Sequence, residues 1–234
     1  MAQKSKTGSQ SGEYWKHKIL SWEAGAYYRD QGKSQRSFWD GLSSLFRRDD
    51  MYVRMQSALN LLQPHLNGLT VLDIGCASGR FAFQLLEAGA ARVIGVDVAP
   101  AAIELANQNR SARPQAGQLE FFLADVVDPE TVLPHVDLVT ALGVLEYFDT
   151  PALHAFLSNL HTRYFFFDFP DISRKQDRLK WALRQVYLKI NRCPGVYLYA
   201  EDVFEELVAQ YGYTDVRFDS RFFFDFATNL PLNN

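Results

Sequence analysis

Val71-Leu72-Asp73-Ile74-Gly75-Cys76-Ala77-Ser78-Gly79-Arg80 is the stretch that decides the fold. An apolar, β-favouring run leads into a turn of small residues, and the helical texture of Gly79–Glu87 follows it. In an open α/β sheet this first strand-to-helix turn is where a nucleotide-like ligand lies, because small residues let it approach the backbone and the helix N-terminus. A dinucleotide fingerprint would need glycine or a near equivalent at 75, 77 and 80. The chain offers Gly75, Ala77 and Arg80, and a long arginine does not suit close helix–strand packing. Asp73 adds an electrostatic objection, since a carboxylate just before the turn repels a pyrophosphate and favours a cationic ligand. The phosphate loop of nucleotide hydrolases is excluded because no Gly-Lys-Ser/Thr follows.

Working outward, apolar runs alternate with helical stretches. The expected strands are Thr70–Ile74, Arg92–Asp97, Leu119–Ala124, Val136–Leu142 and Arg163–Phe169; the expected helices are Gly79–Glu87, Pro100–Asn109, Pro151–Leu160 and Glu201–Tyr211, with Thr150 as an N-cap. Near-continuous apolar strands separated by helices predict a mostly parallel sheet covered on both faces. Tyr213–Asp219 and Arg221–Ala227 are too close for a helical crossover, so they are expected to form an antiparallel hairpin turning at Asp219-Ser220. Before the sheet, Met51, Met55, Ala58, Leu59 and Leu62 recur at helical spacing ahead of Pro64. The reading is a disordered tail at 1–12, a helical cap at 13–66 and an α/β domain at 67–234 interrupted by a helical insertion at 171–193. Residues 171–192 hold seven Lys or Arg against two Asp, a local charge of +5 in a chain of 234 residues whose net charge is −3. That basic face is a solvated surface, a lid attracting an acidic acceptor, or a site of contact with a membrane surface or nucleic acid.

Carboxylates recur where strands end. Asp97 stands 22 residues after Gly75 at the close of the second strand, suited to accept from ribose hydroxyls, and Asp125 closes the third, placed to accept from an exocyclic amine. The fourth strand runs into Ala141-Leu142-Gly143-Val144-Leu145-Glu146-Tyr147. This series resembles the class I S-adenosylmethionine-dependent methyltransferases: an acid followed by a Gly-x-Gly/Ala-x-Gly turn (Asp73, Gly75, Ala77, Gly79), a ribose-binding acid (Asp97), an adenine-side acid (Asp125) and a fourth motif over Asp137–Tyr147. The resemblance covers about residues 70–227. It implies a Rossmann-like, doubly wound, seven-stranded sheet of order 3-2-1-4-5-7-6 with the last strand antiparallel, and S-adenosylmethionine as cofactor. The binding residues it implies are Asp73, Gly75, Cys76, Ala77, Gly79, Asp97, Val98, Asp125, Val126 and Leu142. Glu146, Tyr147 and Tyr28 are candidate catalytic groups, although many small-molecule members carry His where this chain has Tyr147. The helical insertion, the run Tyr197-Leu198-Tyr199-Ala200-Glu201 and the Tyr28, Gly32, Arg36 element are loosely similar to magnesium-protoporphyrin O-methyltransferases.

The expected activity is therefore methyl transfer to a small-molecule acceptor, at oxygen first of all, with an acidic acceptor suggested by the basic insertion. Two other readings stay open: a nonenzymatic S-adenosylmethionine-binding protein, and a methyltransferase acting on RNA or protein. The absence of an Asn/Asp-Pro-Pro-Tyr/Phe motif counts against N-methylation of adenine or glutamine, and a near-neutral chain is a poor generic binder of DNA. Cys76 and Cys193 lie outside any disulfide framework or metal spacing, and the five histidines show no ligand pattern, so no metal is expected. Cysteine usage, a polar N-terminus and the lack of a long apolar stretch predict a cytoplasmic protein without stable membrane insertion. An oligomer remains compatible with the Phe222–Phe224 run. All four Trp (15, 22, 39, 181) fall in the cap or the insertion, which predicts an aromatic roof over the acceptor pocket, whereas the Phe runs fall on strands.

Overall fold

A computed structural model describes residues 12–19, 50–172, 196–220 and 225–231. Helix α1 occupies 12–19. The other helices are α2 (Asp50–Leu62), α3 (Arg80–Glu87), α4 (Pro100–Ser111), α5 (Thr150–Ser158) and α6 (Glu201–Ala209). The strands are β1 (Thr70–Ile74), β2 (Arg92–Asp97), β3 (Leu119–Leu123), β4 (Val136–Ala141), β5 (Thr162–Phe169), β6 (Arg217–Ser220) and β7 (Asp225–Thr228). They form one seven-stranded sheet of order β3-β2-β1-β4-β5-β7-β6. Strands β1 to β5 pair in parallel, and β7 is antiparallel to both of its neighbours. The expected order and the antiparallel last strand are both present.

Alternation along each strand feeds two cores. Leu72, Ile74, Ile94, Val96, Val139, Phe165 and Phe167 face one side, beneath Phe156 of α5 and Phe204 of α6. Val71, Val93, Leu138, Phe166 and Phe226 face the other, beneath Met55 and Leu62 of α2, Phe81 and Leu85 of α3 and Ile103 of α4. The Phe165–Phe167 run thus serves both cores, and all three rings are fully buried. Gly95 in β2 is required by packing: a Cβ there would sit 2.5 Å from the Phe121 ring and 2.9 Å from the Cys76 Cβ. Gly95→Ala is therefore expected to cost about 2 kcal/mol through overpacking, seen as a fall in melting temperature of roughly 4–8 °C.

Several boundaries differ from the sequence reading. The N-cap of α5 is Asp149, whose Oδ1 accepts the Ala152 N–H at 2.9 Å, and Thr150 is already helical. Helix α1 begins at Gly12, the last residue of the tail expected at 1–12. The hairpin turn is not at Asp219-Ser220: both residues belong to β6, and Ser220 pairs with Asp225. Tyr213–Val216 precede β6 because Gly212 and Asp215 take left-handed backbone (φ 86° and 59°), and Tyr213 packs edge-on against Phe165 from a turn. All but the first two residues of the insertion expected at 171–193, residues 1–11 of the expected tail, Tyr28, Trp22, Trp39, Trp181, Cys193 and Phe222–Phe224 lie outside the described residues.

Candidate active site

The carboxyl ends of β1, β2, β3 and β4 lie side by side in the sheet, so the motif residues that close them meet along one edge. The glycine loop is held from below: the N–H groups of Gly75 and Cys76 both donate to the Val96 carbonyl, at 2.8 and 3.0 Å. Gly75, Ala77 and Gly79 all adopt positive φ (70°, 48° and 85°), and Gly79 caps α3. Gly75 also makes room for Val144, whose Cγ2 would lie 2.6 Å from an added Cβ. The loop therefore interlocks with the turn that follows β4.

Asp97 is the brace of this loop. Its Oδ2 accepts the Ala77 N–H at 3.0 Å and its Oδ1 the Ala99 N–H at 2.9 Å. Burial raises its pKa, and these backbone donors oppose the shift. A carboxylate has about four acceptor positions, more than the backbone donors here occupy, so the group can hold the loop and still accept from a ligand hydroxyl. Asp73, 2% exposed, takes the Thr140 hydroxyl on Oδ1 at 3.0 Å across the β1–β4 ladder. Its Oδ2 is buried without a hydrogen bond, and desolvation pushes its pKa up to about 7, against the opposing bond from Thr140 and with the Asp97 charge adding to the rise. Asp125 is half-buried, accepts the Val127 N–H at 3.2 Å, and has its pKa raised chiefly by burial. Val126, Leu142 and Cys76 are buried beside these groups in sequence.

Glu146 and Tyr147 sit in a 3₁₀ turn (Leu145–Tyr147) after β4, and both are buried. The Glu146 carbonyl accepts the Tyr197 N–H at 2.7 Å. Tyr147 packs with Val196 and, edge to face at 5.2 Å, with Trp15 of α1. Helix α1 reaches further along the same edge: a Cβ on Gly12 would lie 3.4 Å from Val98 Cγ2, and the Lys16 charge acts on Asp125. Trp15, one of the four Trp of the cap and insertion, thus packs against a candidate catalytic residue.

Four site features escaped the sequence reading: Thr140, the α1 contacts, Arg54 and Asp168. Arg54 of α2 forms a buried ion pair with Asp168 near the end of β5, and Asp168 Oδ2 also accepts the Gly143 N–H at 3.1 Å. Asp168 carried the same signal as Asp97 and Asp125, an acid closing an apolar strand. Arg54 stood out as a charge three residues from Met51 on the apolar stripe of α2. Among the described residues no group of His, Cys, Asp and Glu could hold a metal ion, and no helix is long and apolar enough to cross a membrane.

Comparison with known proteins agrees with this geometry. The sequence model of the methyltransferase domain family matches residues 71–163. Over 58 residues the chain is 47% identical to the ribosomal protein L11 methyltransferase of Aeromonas salmonicida (strain A449), a match covering 25% of this chain and 20% of that protein. The chain thus spans about a fifth of the length of the curated relatives it matches. Among solved structures, magnesium protoporphyrin IX methyltransferase from Synechocystis PCC 6803 with bound SAH superposes with a TM-score of 0.68 at 20% identity, covering 95% of this chain and 98% of that one. A putative O-methyltransferase from Nostoc punctiforme PCC 73102 gives 0.63 at 16% identity, covering 77% of this chain and 56% of that one. Residues 71–163 are thus similar to the methyltransferase domain family, and the sheet that carries them has the fold of these solved methyltransferases.

Proposed function

We propose that the chain transfers the methyl group of S-adenosylmethionine to an oxygen of a small-molecule acceptor. The observation that carries the cofactor half is the convergence of Asp73, Asp97 and Asp125 beside a positive-φ glycine loop, under a helix that spans the ends of β2, β3 and β4. The donor set fits the ligand. Asp97 is placed for the ribose hydroxyls and Asp125 for the adenine amine, and the uncompensated Asp73 carboxyl favours the cationic methionine end.

The cofactor supplies a sulfonium-activated methyl group, so the chain's own task is to hold an acceptor in line and exclude water. Orientation of that kind can supply roughly 7–11 kcal/mol at its upper range. An acceptor oxygen lone pair forms the new C–O bond as the S–C bond breaks. A carboxylate acceptor needs no base, whereas a hydroxyl acceptor hands its proton to a positioned group, with Glu146, Tyr147 and Tyr28 as the candidates. The small-molecule reading rests on enclosure: α1 and the 196–200 segment both close on the Glu146-Tyr147 turn. It draws further support from the full-length structural likeness to an enzyme of a small-molecule acceptor. The local match to a protein methyltransferase covers only a quarter of the chain and carries little information about the acceptor.

Calorimetric titration with S-adenosylmethionine and S-adenosylhomocysteine, followed by a labelled-methyl screen of metabolite pools, tests the proposal. The expected result is binding of both ligands and label in a small, base-labile ester or a stable ether. No binding overturns the cofactor assignment. Binding with label only in RNA or protein overturns the acceptor class, and binding with no labelled product from any pool favours a nonenzymatic role.

A further inference from the structure

Asp168 belongs to neither the glycine loop nor the cofactor-binding strand ends, yet it is tied to both cap and site. It lies on β5, buried, with one oxygen shared between the Arg54 guanidinium of α2 and the Gly143 N–H at 3.1 Å. Gly143 opens the turn that carries Glu146 and Tyr147, and its φ of 70° is one that other residues rarely adopt. An added Cβ would meet Met51 Cε at 3.2 Å and Arg54 Nη1 at 3.3 Å, so α2 presses directly on this residue. The next residue, Val144, fills the space over Gly75. A contiguous path therefore runs from Arg54 through Asp168, Gly143 and Val144 to the glycine loop, with the Glu146-Tyr147 turn branching from it.

We infer that Asp168 is a positioning residue for the proposed methyl transfer, fixing the 143–147 turn through the Gly143 N–H, and that Arg54 serves it by allowing a charged carboxylate to stay buried there. The inference rests on the cofactor reading. A buried carboxylate without its cation is strongly disfavoured, while replacing both partners of such a pair by apolar groups is often tolerated. A merely structural pair would then be dispensable. A positioning residue would not be, because the Gly143 N–H loses its acceptor and the turn loses its anchor.

Two double variants separate these roles. Arg54→Met with Asp168→Leu removes the charges and the acceptor; Arg54→Met with Asp168→Asn removes the charges but keeps an oxygen for Gly143. Each is compared with the wild-type chain by thermal melting, by S-adenosylhomocysteine titration and by hydrogen exchange at the amides of 143–147. The Leu variant is expected to stay folded, to bind S-adenosylhomocysteine about tenfold more weakly, and to exchange about tenfold faster over 143–147. The Asn variant is expected to match the wild type within about twofold in both. Wild-type behaviour of the Leu variant overturns the inference, as does an Asn variant as impaired as the Leu one. Should the wild type bind no S-adenosylhomocysteine, the functional reading fails, and the exchange comparison alone still decides whether Asp168 holds the turn.

Discussion

Asp97→Ala is expected to weaken S-adenosylmethionine binding by on the order of a hundredfold or more, with the chain still folded. Two losses add. The ligand loses its bidentate acceptor for the ribose, and the glycine loop loses the carboxylate that takes the Ala77 and Ala99 N–H groups. Hydrogen bonds to a charged group contribute about 1.5–3 kcal/mol each, and 1.4 kcal/mol is a factor of ten in affinity. Ala77 sits at φ 48°, a conformation that costs a non-glycine residue energy and that the Asp97 bond helps to hold. Asp97→Asn offers a single acceptor oxygen to two backbone donors and should fall between the two. Calorimetry reads the affinity, and thermal melting reads whether the sheet survives. Unchanged affinity in the alanine variant would remove Asp97 from the site.

Asp73→Asn separates stability from function. The carboxyl is raised from an ordinary 3.8 to about 7 by burial, so between those values the folded chain keeps a proton that the unfolded chain has released. Stability contributed by the protonated group is complete below about pH 4 and is lost as pH rises toward 7, by roughly 4 kcal/mol at the upper limit. Melting at pH 4 to 8 should show this decline in the wild type and its disappearance in the asparagine variant, once other titrations common to both are subtracted. Binding a cationic ligand favours the ionised form, so near neutral pH the wild type should release a proton as S-adenosylmethionine binds. Titrations in buffers of differing ionisation enthalpy detect that proton. The variant should release none from this site and bind about tenfold more weakly. A variant with the wild-type pH profile of stability would place the titration elsewhere.

The architecture was legible because its determinants are local. The runs at β1, β2, β4 and β5 are short, apolar and bounded by turns or helices, and the acids that end β2 and lie just past β3 declare themselves by position alone. The hairpin was misplaced by a few residues because Tyr213 is as apolar as a strand residue but earns its burial from a turn, against Phe165. The residues expected to bind the cofactor lie along one continuous edge, at strand ends that announce themselves in the sequence. The contacts around the turn after β4 do not, for a physical reason: they come from segments distant in sequence. Trp15 meets Tyr147 over a separation of 132 in the numbering, and Arg54 meets Asp168 over one of 114. No periodicity in either segment marks the partner. The glycines also changed meaning. Gly75 and Gly79 were expected to let a ligand approach, and they equally make room for Val144 and for the Phe121 ring.

The place of β7 has a consequence for how the chain reaches this state. Residues 225–228 pair with 166–169 on one side and with 217–220 on the other, so the strand completed last inserts between two made earlier. Until it has emerged from the ribosome, the outer edge of β5 stands open along Phe166, Phe167 and Phe169, with unpaired backbone donors beside large rings that end up wholly buried. Pairings this distant close slowly, and an open apolar edge is a template for the wrong neighbour. Native pairing of β5 should therefore wait on residues 225–228, even though the glycine loop and its supporting strands are complete more than 80 residues earlier in the chain.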